Sequence, residues 1–228
     1  MPESRDHGPL PPLLILLTVM AGLVDSVSYL VLGNVFVANM TGNIIFLGLG
    51  LGGGQGTVGR ILSIALAVAC FSAGAATGGH AAFSRIRHRG RLLGAAAATQ
   101  AGALVAAALI VTGPGRLRET ERLAAIAVLA LSMGWQYAIV RRLGVPDFRT
   151  VVITTTLTSL VADKAEAKER IARRALSVAA LLGGAAVGAV LIRNVSIAAP
   201  LWCAAVILAA VAAAAFITAR RPGAGDWS

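Results

Sequence analysis

Residues 35–52 read VFVANMTGNIIFLGLGLG, and the way this stretch folds decides the architecture of the chain. It is apolar at both ends, with a polar knot, Thr41-Gly42-Asn43, in its middle and Asn39 just before it. An uninterrupted helix crossing a hydrocarbon core of about 30 Å needs about 20 mostly apolar residues. Here polar groups would fall at the centre of that core. Thr or Asn ahead of an apolar run is instead a helix-start signal, because such side chains accept hydrogen bonds from the free N–H groups of a first turn. The stretch therefore reads as an extended approach over Phe36 to Met40, then a half-helix starting near mid-membrane with Thr41 or Asn43 as its cap.

A stretch of the same kind lies at 150–162. There the β-branched run Val151-Val152-Ile153, which favours extended backbone, leads to Thr154-Thr155-Thr156 and an apolar run from Leu157. At 13 residues it is too short to cross as a helix. Six other segments, 13–24, 61–79, 92–112, 123–140, 175–192 and 197–219, contain no Asp, Glu, Lys or Arg. With 57% hydrophobic and only 13% charged residues over 228 positions, the chain is no soluble domain; most of these segments are membrane helices.

Sliding the chain by about half its length, 113 residues, brings landmarks into register. Gly22 falls near Gly134, Gly33 near Gly144, Thr41-Gly42-Asn43 on Thr154-Thr155-Thr156, and Arg60 on Arg173. Each half reads as a long helix, a short odd segment and two long helices.

The formal net charge of +10 would suggest nucleic acid in a soluble protein. Here the basic residues sit in short loops between apolar spans, where they report orientation, so no nucleic-acid partner is expected. If both odd stretches re-enter, 15 of the 20 basic residues fall on one side, the cytoplasmic one, including Arg5, Arg85, Arg87, Arg89, Arg91 and Arg221. If all eight segments cross, the better orientation leaves 12 inside. Seven crossings, with only the second odd stretch re-entrant, place 14 inside, and the repeat argues against that arrangement. No small-x-small cleavage site follows the first apolar run, so it is expected to stay as a helix. The expected fold is an all-α integral membrane bundle of two inverted repeats, six crossings plus two re-entrant half-helices. A cytoplasmic tail, 1–12, precedes a single transmembrane domain, 13–219, with repeats at about 13–112 and 121–219, and a cytoplasmic tail follows at 220–228.

Gly22-Leu23-Val24-Asp25, followed by Gly33-Asn34-Val35-Phe36-Val37-Ala38-Asn39-Met40-Thr41-Gly42-Asn43, resembles the signature of the YoaK-like bacterial membrane proteins, domain of unknown function 1275. The resemblance covers about residues 12–220, and Gly134-Trp135-Gln136 and Arg141-Arg142-Leu143-Gly144 look like the family's later motif. Where the family usually has Thr-Gly-Thr, this chain has Thr154-Thr155-Thr156, without the glycine that a close backbone approach would use. The resemblance implies the bacterial cytoplasmic membrane as compartment and implies no activity.

Asp25 is the one acid inside an apolar span, and it shares a helical face with Thr18, Gly22, Ser28 and Tyr29. An ionisable group at such depth normally faces the bundle interior and marks function. The alternative is that Asp25 bonds the N–H groups of a half-helix start. The two knots either line a pathway or cap broken helices. Gln100 and Gln136, amides in mid-helix, suit helix–helix glue. Gly48-x-Gly50-x-x-Gly53 matches a nucleotide-binding string but follows an apolar segment with no acid about 20 residues on, and a Ser72–His80 hydrolase pair lacks the required placement. Cys70 and Cys203 behave as small hydrophobes, and His7, His80 and His88 form no metal constellation.

The expected function is a small-solute transporter or channel, not an enzyme, with no cofactor or metal. Its site is Asp25, Ser28, Tyr29, Asn39, Thr41, Gly42, Asn43, Gln136, Thr154, Thr155 and Thr156. Partners are the lipid bilayer and a small polar or anionic solute, with oligomerisation left open. The rival is a scaffold or partner-binding bundle that transports nothing.

Overall fold

The computed structural model describes residues 10–53, 58–80, 88–113, 117–143 and 168–220. Within them the chain forms α1 (Leu10–Leu30), α2 (Met40–Leu51), α3 (Val58–His80), α4 (Arg89–Val111), α5 (Glu119–Leu143), α6 (Lys168–Asn194) and α7 (Ala199–Ala219). There is no strand among the described residues. Six helices are long and apolar enough to cross a membrane, and α2, with 12 residues, is not. The second odd stretch, with Thr154, Thr155 and Thr156, lies outside the described residues.

Local chemistry sets the helix ends. α1 stops where Gly33 (φ +98°) and Asn34 (φ +58°) take left-handed backbone, with the Asn34 N–H returning to the Tyr29 carbonyl at 3.0 Å. α2 starts at Met40, capped by Asn39, whose Oδ1 accepts from the Gly42 N–H at 3.5 Å. The cap is therefore two residues earlier than Thr41, because Asn39 reaches the N–H of the third helical residue. His88 Nδ1 accepts from the Gly90 N–H at 3.1 Å at the start of α4, and Pro200 opens α7, where a missing N–H does no harm. Mid-helix hydroxyls, such as those of Thr18 and Ser63, donate to carbonyls four residues back and expose no unpaired donor to lipid.

Glycine decides which helices pair. A Cβ on Gly22 would meet the Leu181 carbonyl, one on Gly184 the Val19 carbonyl, and one on Gly188 the Ser26 hydroxyl, so α1 and α6 lie backbone to backbone. The numbers rise together, so the two helices run in the same direction. α3 and α5 are built likewise: Gly74 sits on the Leu131 carbonyl, Gly134 on the Phe71 carbonyl and Gly78 on Trp135. α4 packs against α7, with Gly94 near its start against Phe216 near the other's end, and α4 and α7 also touch α5 and α1 respectively. α1 is the most interior span, with 72% of its apolar window buried, whereas in α6 only 17% is, which leaves most of its girth exposed.

Candidate functional site around Asp25

The connector between α1 and α2 forms no regular structure, and its backbone groups must be satisfied by something else. Three side chains do it. Asp25, half-buried on α1, accepts from the N–H groups of Val37 and Ala38 through one oxygen, Oδ1, at 3.0 and 2.9 Å. Asn43, buried in the first turn of α2, reaches back to Phe36: Oδ1 accepts from its N–H at 3.0 Å and Nδ2 donates to its carbonyl at 2.6 Å. Arg122, at the start of α5, donates to the Leu32 carbonyl at 2.8 Å and the Ser63 hydroxyl at 3.0 Å, and its guanidinium is paired with Glu119. These bonds bring the end of α1, the start of α3 and the start of α5 to one end of the bundle.

Gly33 makes room for this tie, since a Cβ there would run into the Arg122 guanidinium. Below it, the rings of Tyr29, Phe36 and Phe46 stack at centroid distances of 5.0 and 6.2 Å, and the Arg60 guanidinium sits 5.1 Å from the Phe46 ring centre. Gly42 lies against the Phe36 ring, where a Cβ would come within 3.0 Å.

Asp25, Ser28, Tyr29, Asn39, Gly42 and Asn43 thus meet around one connector. Ser28 is buried and donates to the Asp25 backbone carbonyl at 3.1 Å. Thr41 is exposed in the first turn of α2. Gln136 goes elsewhere, accepting from Gln100, whose Nε2 also lies 3.4 Å from the Met133 sulfur, in a buried tie between α4 and α5. Arg122, Ser63, Phe36 and Phe46 belong to the cluster, and residue type alone does not announce them. The glycine-rich run 48–53 is the end of α2 and the turn after it, and Ser72 donates to the Val68 carbonyl. Among the described residues no group of three or more His, Cys, Asp or Glu could hold a metal ion.

The family model described as "Protein of unknown function (DUF1275)" matches residues 13–214. The chain belongs to this family. The DUF1275 match spans every described helix almost to its end, and the Asp25 connector lies wholly inside it. The chain is 36% identical over 154 residues to the UPF0700 transmembrane protein YoaK of Bacillus subtilis strain 168, an alignment that covers 66% of this chain and 65% of YoaK. The chain thus spans slightly less than two thirds of that relative's length. No solved structure matches this member of DUF1275.

Proposed function

We propose that this multi-pass membrane protein is a small-solute transporter or channel, not an enzyme, whose site lies beside Asp25 at the start of the half-helix α2. The observation that carries this reading is an acid within an apolar span, Asp25, holding the Val37 and Ala38 N–H groups just ahead of the short helix α2, in whose first turn Thr41 is exposed. Discontinuous helices whose ends point into the bundle are how secondary transporters build solute sites. A carboxylate and a helix N-terminus side by side suit a dipolar solute, its positive end on Asp25 and its negative end on the dipole of α2, better than a bare anion.

The inverted-repeat reading has support in the packing. Each glycine contact between α3 and α5 has a counterpart between α1 and α6: Gly22 corresponds to Gly134 and Val19 to Leu131, 112 positions apart, and Gly74 to Gly184 and Gly78 to Gly188, 110 apart. Exchanging the halves turns one pair into the other, and the antiparallel α4–α7 contact into itself. Arg122 draws Leu32 and Ser63 together, which favours a re-entrant arrangement of α2. The charge distribution favours the bacterial inner membrane with both tails in the cytoplasm.

A scaffold that transports nothing has its own supporting observation: Asp25 Oδ1 and both amide groups of Asn43 are fully engaged with the main chain. Proteoliposome flux over small dipolar metabolites, with melting temperature alongside, separates the two readings, because a transported solute stabilises the fold by mass action. Asp25→Asn should retain the fold and lose solute-dependent stabilisation and flux. A purified protein that neither moves nor is stabilised by any member of such a panel is a scaffold.

A further inference from the structure

We propose that residues 31–38 form a strap that closes the Arg122 end of the bundle, fixed at Asp25, caught at Arg122 and hinged at Gly33 and Asn34. The strap joins two helix pairs. Its catch, Arg122 with Ser63, belongs to the α5–α3 pair, whereas its anchor, Asp25, belongs to the α1–α6 pair.

The Arg122 catch differs from the inner attachments, Asp25 on Val37 and Ala38 and Asn43 on Phe36, in what release would cost. When the Leu32 carbonyl leaves Arg122, the guanidinium keeps its ion pair with Glu119, whose side chain is 62% exposed, and the carbonyl, buried while the strap is closed, meets water once the strap lifts. Asp25 lies one and a half turns back inside α1, about 7.5 Å from the end of that helix. The Val37 and Ala38 N–H groups would find no such replacement there. One end therefore holds and the other exchanges.

Between them, Leu32 and Val35 are completely buried and act as the plug, and the left-handed pair Gly33–Asn34 lies between those two residues, where the backbone must turn for the plug to lift. Lifting it exposes the stacked rings of Tyr29 and Phe36 and, beneath them, Asp25 and Asn43. The strap is a gate only if the Asp25 site lies on a solute path, as proposed above, but its motion is measurable without any solute.

The test uses the full chain with Cys70→Ala and Cys203→Ala, and a single reporter, Val35→Cys on the plug or Val111→Cys. Val111 is buried at the end of α4, off the strap. A membrane-impermeant maleimide is applied to intact cells and to inside-out vesicles, so that either orientation is read. Arg122→Gln should speed labelling at Val35→Cys by about tenfold or more and leave Val111→Cys unchanged, with Ser63→Ala giving a smaller rise at the same position. If Arg122→Gln fails to accumulate, Ser63→Ala carries the same comparison. No rise at Val35→Cys, or an equal rise at both reporters, overturns the strap. A labelled, opening strap in a protein that moves no solute leaves the strap standing and removes the transporter reading.

Discussion

Asp25 places one carboxylate oxygen on two N–H groups twelve and thirteen residues downstream, and that geometry separates the effects of its substitutions. Asparagine keeps an acceptor oxygen and loses charge assistance, so Asp25→Asn should cost about 1 kcal/mol. Leucine leaves the Val37 and Ala38 N–H groups without partners in a low-dielectric interior, at about 1–3 kcal/mol each. Thermal melts in detergent should therefore rank wild type above Asp25→Asn, and Asp25→Asn well above Asp25→Leu; equal melting of the two variants would mean the bonds to the connector carry no weight. The sequence singles out Asp25 and Asn43 because polar groups in an apolar context need a reason. It does not say what they bond, since the acceptors and donors at Phe36, Val37 and Ala38 are main-chain groups common to every residue type. Arg122 is indistinguishable in the sequence from any loop charge that reports orientation.

Glycine is the element-scale determinant, and it acts only where a neighbouring backbone comes close. Gly183 and Gly184 are adjacent on α6, yet a Cβ on Gly183 meets nothing within 4 Å whereas one on Gly184 strikes the Val19 carbonyl. Gly183→Ala should raise stability by up to about 1 kcal/mol through helix propensity. Gly184→Ala should lower it by about 1–3 kcal/mol by forcing α1 and α6 apart. Gly74→Ala and Gly134→Ala should behave like Gly184→Ala, because both positions lie on a carbonyl of the partner helix. Matching effects for all four substitutions, read as melting temperatures, would contradict the pairing described above. The small residues are visible in the sequence as candidates for close packing, but a glycine is silent about which helix approaches it. The start of α2 shows a related limit: Thr41, Asn43 and Asn39 are all good caps, and only the backbone path selects Asn39.

At the scale of the molecule, six apolar spans are legible from length and charge alone, and there are six helices of that kind among the described residues. Their arrangement is not, because the pairs α1–α6 and α3–α5 join residues about 160 and 60 positions apart, and hydropathy records no partner. Single-cysteine labelling tests the arrangement: Gly54→Cys should react from outside and Ala165→Cys only from the cytoplasm, and the opposite result at either position rules out two non-crossing odd stretches. The interleaving also has a consequence for the order in which the chain is made. α1 leaves the ribosome with its acid already within a dozen residues of its own hydrogen-bond donors, so the α1–α2 unit can settle in the bilayer early. Its glycine face has no partner until α6 is translated, about ten to thirty seconds later at ordinary elongation rates. Through that interval Gly22 presents a bare backbone groove to lipid and to whatever insertase escorts the nascent chain. α1 thus waits for α6 and α4 for α7, and the last third of the polypeptide decides when the bundle closes.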